Sequence, residues 1–137
     1  MKKKLIIVVG DGPMNYYVDA LNDTALYNAT CAGIPRAIQF AQEHGNDIDL
    51  VITQMYGTHG PELDSTKSER GHIAGAALKD VMEILCPSAI FMIMCSECMY
   101  DPSTMEKLRA CPNVRLPGNI LDFLPYQIVE EVGRVLK

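Results

Sequence analysis

The sequence has no long apolar segment and no basic run beyond its first few residues, and its number of cysteines is odd. Nothing approaches the roughly 20 consecutive apolar residues that span a bilayer, so no membrane span is predicted. Leu5–Val9 follows three lysines, as in a signal peptide, but the apolar run stops at Gly10 without a small-residue cleavage site. Five cysteines, several of them in apolar segments, favour a reducing cytoplasm over a disulfide framework.

The charge balance excludes a second class of partner. The formal net charge is -5, whereas a nucleic-acid groove needs clustered Lys and Arg to replace the counterions of phosphates. The chain has 137 residues, of which 48% are hydrophobic and 21% charged, and such a chain can bury a core without disulfides or metals. We therefore expect one cytoplasmic domain over residues 1–137 that binds neither nucleic acid nor membrane.

Apolar runs and helical stripes alternate along the chain. Leu5–Val9 is continuously aliphatic, as in a parallel strand covered by helices on both faces. Further strands are predicted at Leu26–Cys31, Leu50–Thr53, Ala89–Met94 and Val114–Leu116. A helical stripe follows each strand, and the first stripe has apolar residues at i, i+3, i+4 and i+7 from Met14. Strict alternation predicts a three-layer α/β/α domain with a five-stranded parallel sheet.

The pattern fails from Gly57 to Gly71, where Gly, Pro, Asp, Ser and charged residues dominate. A loop of this length inside a compact domain is more often functional or mobile than neutral. His59 and His72 bracket it, with several carboxylates between them, and a His near carboxylates can serve as an acid, a base or a ligand. A solvated loop with ordinary charges is the alternative interpretation.

Three segments at the ends of predicted strands resemble the receiver domain of two-component signalling. Val9–Asn15 resembles the acidic segment that follows the family's first strand. Asp49–Gln54 resembles the third strand, which in the family ends in the phosphorylated aspartate. Arg115–Pro117 falls where the family has Lys-Pro. The resemblance covers nearly the whole chain and implies the flavodoxin-like strand order 2-1-3-4-5.

The chemistry of the family does not carry over at the first and third strands. Gln54 stands in the place of the nucleophilic aspartate, and a neutral amide is a very poor nucleophile. The family holds Mg²⁺ with acidic residues, because this hard cation prefers carboxylate oxygens. Of that acidic pair only Asp11 remains, with Gly10 in the other place. Asp49 is expected at the opposite end of the third strand and cannot substitute.

The fourth and fifth strands depart from the family as well. Leu116 replaces the lysine that pairs with the phosphoryl group. The position of the family's hydroxyl residue is Met94 or Cys95, with Ser96 one step further on. Together these departures predict a degenerate receiver, or pseudo-receiver, with no catalytic constellation, no metal and no cofactor.

Cys95 and Cys98 form the remaining motif with chemical potential, just beyond the fourth strand. Two thiols at this spacing can form a redox couple or supply half of a zinc site. Cys111, His59 or His72 would have to complete the zinc site. Alternatively, Cys95 simply ends a buried strand and Cys98 is a loop thiol.

The leading functional prediction is a phosphorylation-independent signalling or protein-interaction module and not an enzyme. The resemblance implies a partner or self-association face made by the fourth helix, fifth strand and fifth helix. That face would include parts of Met105–Ala110, Val114–Leu116 and Tyr126–Val135.

Two alternatives use the carboxyl edge of the sheet. A thiol redox sensor would use Cys95 and Cys98. A small-ligand sensor would use a pocket around Asp11, Gln54 and Ser96, with the long loop as a lid. Pockets at this edge are common in such folds, but the fold alone does not establish one.

Overall fold

Residues 2–10, 14–56 and 73–137 are described by the computed structural model, with the backbone alone at Cys98. The strands are β1 (Lys4–Val9), β2 (Tyr27–Ala32), β3 (Ile48–Gln54), β4 (Ile90–Met94) and β5 (Val114–Arg115). The helices are α1 (Met14–Asp23), α2 (Ile34–His44), α3 (Ala74–Leu85), α4 (Pro102–Ala110) and α5 (Pro125–Val135). All strands are parallel in the order β2-β1-β3-β4-β5, which confirms the predicted α/β fold and strand order.

The aliphatic run of β1 is buried on both faces of the sheet. Because successive side chains in a strand point to opposite faces, Ile6 and Val8 pack in one core and Ile7 and Val9 in the other. All four are at most 4% exposed. β1 is therefore covered on both faces of the sheet, as the continuous apolar run predicts.

Each core is closed by its own set of helices. One core receives Met14, Tyr17 and Leu21 of α1 and Ile128 and Val132 of α5. The other receives Ala37 and Ala41 of α2, Leu78 and Met82 of α3, and Met105 and Leu108 of α4. The spacing of these residues is the helical stripe that the sequence shows. Helices thus cover both faces of the sheet.

Two glycines allow α3 to approach the sheet closely at both of its ends. The Gly75 N–H donates to the Met55 carbonyl at 2.8 Å, and a Cβ at Gly75 would lie 2.4 Å from the Gln54 carbonyl oxygen. At the other end, a Cβ at Gly45 would lie 1.9 Å from the Leu85 carbonyl oxygen. Any larger residue at either glycine would push α3 away from β3 or from the connection before it.

The free edge of β2 is capped by a side chain of α1. The Asn22 amide donates to the Ala29 carbonyl at 2.9 Å and accepts from the Ala29 N–H at 2.7 Å. A primary amide has one donor group and one acceptor group, so Asn22 imitates the backbone of a neighbouring strand. Capping of this kind reduces the tendency of an edge strand to pair with another chain.

Four of the five strands differ from their predicted bounds by one residue at one or both ends, and β3 differs by two residues at its start. β3 begins at Ile48, two residues early, because this buried residue follows directly on the 3₁₀ turn Gly45–Asp47. β5 has only Val114–Arg115, one residue fewer than predicted. Asp101 caps α4 and accepts a hydrogen bond from the Thr104 N–H at 3.3 Å.

Two further expectations concern the ends of β3 and the absence of a membrane span. The Asp49 carboxylate accepts the Leu5 N–H at 2.8 Å, which places it at the beginning of β3 and far from Gln54.

Among the residues that the structure describes, no helix has the length and apolar character needed to cross a bilayer. The loop predicted from Gly57 to Gly71 lies outside those residues.

Candidate functional site

The carboxyl edge of the sheet brings together the residues at the ends of β1, β3 and β4. Val9 at the end of β1 pairs with Thr53 of β3. Gln54 at the end of β3 pairs with Met94 at the end of β4. Gly10 follows β1 directly. Ligands of open parallel sheets bind beyond the carboxyl ends of the strands, so this edge is the candidate site.

Gly10 adopts a backbone conformation that excludes other residues. Its φ is 141°, in a region that is essentially restricted to glycine. A Cβ at this position would lie 3.0 Å from Cγ of Met14, which is fully buried in the first turn of α1. Met14 therefore fills the space that a side chain at position 10 would need. The second residue of the family's acidic pair, Asp11, lies outside the described residues.

Gln54 presents an amide beside a methionine. Its strand neighbours Leu50 and Ile52 face the α1 and α5 side of the sheet, and the alternation of side chains puts Gln54 on the same side. Met94, its partner in β4, packs in that core and is 2% exposed. Thioether sulfur is a soft ligand, whereas Mg²⁺ selects hard oxygen ligands. This side of the edge is therefore poorly suited to Mg²⁺.

The register of β4 settles which residue stands opposite Gln54. Met94 takes that position, and Cys95 follows on the other face of the sheet, in the core under α2, α3 and α4. Ser96 is the hydroxyl residue at the end of β4, and its Oγ accepts a hydrogen bond from the Asn119 amide at 2.7 Å. The hydroxyl is thus fixed to the segment after β5.

Leu116 brings an apolar side chain to the end of β5. It is half-buried against the core under α2, α3 and α4. Gly118, two residues further on, has a φ of 142°, and its carbonyl accepts the Cys95 N–H at 2.8 Å. The turn after β5 therefore ties the ends of β4 and β5 together without a charged group at position 116.

The Cys95 thiol is buried and protonated at neutral pH. Cys95 is only 5% exposed, and this burial raises the pKa of its thiol to about 11. The negative charge of Glu97 adds to the rise, and the positive charge of Arg109 opposes it. Thiolate, not thiol, is the nucleophile in redox exchange. Cys98 lies in the 3₁₀ turn Glu97–Met99, and its side chain is outside the description. The pairing of the two thiols stays a prediction.

The described part of the chain contains no group of three or more His, Cys, Asp or Glu side chains arranged to hold a metal ion. His59 and His72, which were candidates to complete a zinc site, are outside that part. Cys111, the third candidate, lies beside Lys79 on the α3 side. The described residues therefore provide no set of ligands for the zinc site that the sequence suggested as an alternative.

Sequence reasoning missed an exposed apolar segment between β5 and α5. Leu121, Leu124 and Tyr126 are 86%, 57% and 60% exposed, while Ile120 and Phe123 pack on the core under α1 and α5. The segment is apolar in sequence but follows neither a strand nor a helix period, so only the structure separates its buried residues from its exposed ones.

A groove lies between α2 and the outer strand β2, beside the last residue of that strand, Ala32. Its volume is about 380 Å³, and its lining also includes Thr30, Arg36, Phe40 and Glu43. The two charged side chains have opposite signs, so their charges do not favour an anion over a cation.

Comparison with known proteins connects this geometry to one fold. No family model and no curated protein matches the chain. A response regulator receiver protein from Sinorhizobium medicae WSM419 is 17% identical with a TM-score of 0.62, covering 98% of this chain and 95% of that one. The receiver domain of the hybrid histidine kinase CckA has 17% identity and a TM-score of 0.64 over 97% and 99%. The chemotaxis protein CheY4 of Vibrio cholerae has 16% identity and a TM-score of 0.63 over 98% and 100%. These likenesses establish a receiver-like fold.

Proposed function

We propose that this chain is a phosphorylation-independent receiver-like module that acts by binding protein. The observation that carries the proposal is the conformation of Gly10, with the buried Met14 side chain in the space beside it. In the receiver family this position belongs to an acidic residue that helps to hold Mg²⁺. Here it is a glycine whose backbone conformation and close contact with Met14 disfavour a side chain, so the metal would lack one of its carboxylate ligands.

The other positions of the phosphorylation site support the same conclusion. An acyl phosphate forms only on a carboxylate, and Gln54 offers an amide. Leu116 offers no cation to pair with a phosphoryl group. Three separate requirements of the reaction are therefore unmet, and restoring one of them does not restore the others.

The test is titration of the full chain with Mg²⁺ and beryllofluoride, a phosphoryl mimic, followed by NMR shift mapping. We expect no shift at the amides of Gln54, Ser96 and Leu116. The matched variant Gln54→Asp supplies the carboxylate but keeps glycine at position 10, with Met14 beside it. We expect this variant to show no NMR shifts either. Shifts centred on Gln54 and Ser96 in the parent chain would contradict the proposal and favour the small-ligand sensor.

The binding surface that we propose is the α4–β5–α5 face, extended by the segment that leads into α5. Isolated exposed apolar residues are ordinary on protein surfaces, but Leu121, Leu124 and Tyr126 occur within six positions of one another. A group of exposed apolar side chains is typical of a protein-interaction site. The first of these residues is also the most exposed large apolar residue among those described.

A second copy of the chain is the partner to test first, by sedimentation velocity over a range of concentrations. The double variant Leu121→Ser/Leu124→Ser should abolish concentration-dependent association. Ile84→Ser is the matched control, because Ile84 is 80% exposed on α3, a helix that is not part of this face. Association that survives the double variant would contradict the proposed face, whereas a parent chain that stays monomeric would direct the search to a different protein.

A further inference from the structure

A buried lysine and a cysteine lie side by side between α3 and the end of α4. The Lys79 side chain is only 7% exposed, although it projects from a helix whose neighbouring residues Leu78 and Met82 form the core. Its Nζ donates to Cys111 Sγ at 3.5 Å and lies 2.8 Å from Oε2 of Glu83. A buried ammonium must be paired to offset its lost hydration, and these two groups pair it.

The charge on Lys79 depends on these partners. Burial by itself lowers the pKa of Lys79, but the hydrogen bond to Glu83 and the negative charges of Cys111 and Glu83 outweigh burial and raise it. Asp80 adds a weaker contact at 3.6 Å. Glu83 and Cys111 therefore hold Lys79 in its charged form beside the thiol.

Cys111 is more exposed than Cys86 and Cys95, the two buried thiols among the described residues. It is half-buried at the end of α4, and its Sγ donates to the Lys107 carbonyl at 3.2 Å while it accepts from Lys79. Cys86 and Cys95 are buried, and burial raises the pKa of each to about 11. A small oxidant can thus reach Cys111 more easily than it can reach the other two.

We propose that Cys111 is a site of reversible oxidation by a peroxide and that Lys79 traps the oxidised sulfur. In the first step the Cys111 thiolate attacks one oxygen of hydrogen peroxide. An S–O bond forms, the O–O bond breaks, and the departing hydroxide takes a proton from the neighbouring Lys79 ammonium to leave as water. The sulfur is oxidised by two electrons, and the peroxide is reduced by two.

In the second step the neutral Lys79 amine attacks the sulfur of the sulfenic acid. An N–S bond forms, the S–O bond breaks, and the oxygen leaves as a second water with a proton from the amine. Sulfenic acids condense with nitrogen nucleophiles in this way to give sulfenamides. Lys79 reaches its neutral form because the hydroxide released in the first step takes a proton from the adjacent ammonium, while Glu83 keeps Nζ in place through its contact at 2.8 Å.

The link would tether α3 to the segment that joins α4 and β5. Before reaction the two atoms are 3.5 Å apart, so bond formation requires a shift of the long lysine side chain and not of the sheet. The reaction does not depend on the interaction face proposed above and is tested separately from it.

The test is treatment of the full chain with hydrogen peroxide, then alkylation of the remaining thiols and mass analysis of the whole protein and of its peptides. We expect a mass loss of two hydrogen atoms, a linked pair of peptides that contain Lys79 and Cys111, and reversal by dithiothreitol. Cys86 and Cys95 should stay alkylatable after unfolding. Peptide mapping of the parent chain gives this answer even where a variant fails to fold.

Two variants separate the trap from a simple thiol oxidation. Lys79→Arg keeps the positive charge but lacks the amine, so Cys111 should stop at the sulfenic acid and become labelled by dimedone. Cys111→Ser should show no two-hydrogen loss. A two-hydrogen loss that persists in Lys79→Arg would identify a disulfide and overturn the proposal. An added oxygen retained in the link, or Lys79 left free beside over-oxidised Cys111, would overturn it as well.

Discussion

Replacement of Gly10 by Asp tests whether the acidic site of a receiver can be rebuilt in this chain. The backbone φ of 141° carries a strain of about 1–3 kcal/mol for a residue with a Cβ. The new side chain also meets Met14 Cγ at 3.0 Å from its Cβ, and overpacking of this kind costs about 1–3 kcal/mol. We therefore expect Gly10→Asp to lower the free energy of unfolding by about 2–6 kcal/mol in total.

The assay is urea unfolding followed by far-ultraviolet circular dichroism, with linear extrapolation to water. Gly133→Ala is the matched control, because Gly133 lies inside α5 and an added Cβ would make only an ordinary contact, 3.8 Å from the Tyr27 hydroxyl. A glycine inside a helix costs about 0.5–1 kcal/mol relative to alanine, so the control should gain stability. A Gly10→Asp chain within about 0.5 kcal/mol of the parent would refute the reasoning.

Two companion variants divide the expected loss between its causes. Gly10→Ala has the same backbone strain and the same Cβ contact with Met14, so it should lose most of the stability that Gly10→Asp loses, and the difference between the two variants reports the carboxylate alone. Met14→Ala by itself should cost about 2–5 kcal/mol as a core truncation. Combined with Gly10→Asp it should cost less than the sum of the two single losses, because the truncation makes room for the new side chain.

Three other predictions address packing, the sheet edge and pH. Gly45→Ala should lower stability by about 3 kcal/mol or more in urea unfolding, because the new Cβ would lie 1.9 Å from the Leu85 carbonyl oxygen and backbone cannot yield cheaply. Asn22→Ala should cost about 1–3 kcal/mol and increase aggregation measured by light scattering, because both polar groups of Ala29 lose their partner. Burial raises the pKa of Cys86 from 9.0 to about 11. The thiol therefore ionises in the unfolded chain first, and the free energy of unfolding should fall between about pH 9 and pH 11. The urea midpoint measured against pH should fall less steeply in Cys86→Ala.

The arrangement of the fold follows from local patterns in the sequence. The uninterrupted aliphatic run of β1 indicates burial on both faces, and the cap at Asp101 is readable from Asp-Pro-Ser at the start of α4. The two-residue β5 is shorter than predicted because Leu116, although apolar, leaves the strand for the turn that ends at Gly118. Such an exit depends on tertiary hydrogen bonds and has no local signal.

The candidate site was predictable in its membership but not in its packing. Parallel strands end at one edge, so the sequence places Gly10, Gln54 and Leu116 near one another. The apolar stripe of α1 says that Met14 faces inward, but it cannot say that Met14 lies against Gly10. The positive φ of Gly10 is equally invisible, because a glycine before a helix also suits an ordinary turn.

The buried lysine shows a different limit of sequence reasoning. Lys79 lies next to Leu78 and three residues before Met82 on α3, so its spacing agrees with the buried stripe. A lysine is nevertheless expected to be exposed. Its burial depends on Cys111 and Glu83, of which the first comes from the distant end of α4. Partners separated by this much sequence cannot be read from a helical pattern.

The hydrogen bond from the Gly75 N–H to the Met55 carbonyl affects which insertions, deletions and substitutions this part of the chain can tolerate. It joins the residue after β3 directly to the first turn of α3, so the close approach of this helix to the sheet depends on residues 55 and 75 themselves. Each doubling of a flexible connection's length costs only about 0.6 kcal/mol. We therefore expect changes of length in the loop predicted from Gly57 to Gly71 to be far better tolerated than a single added methyl group at Gly75.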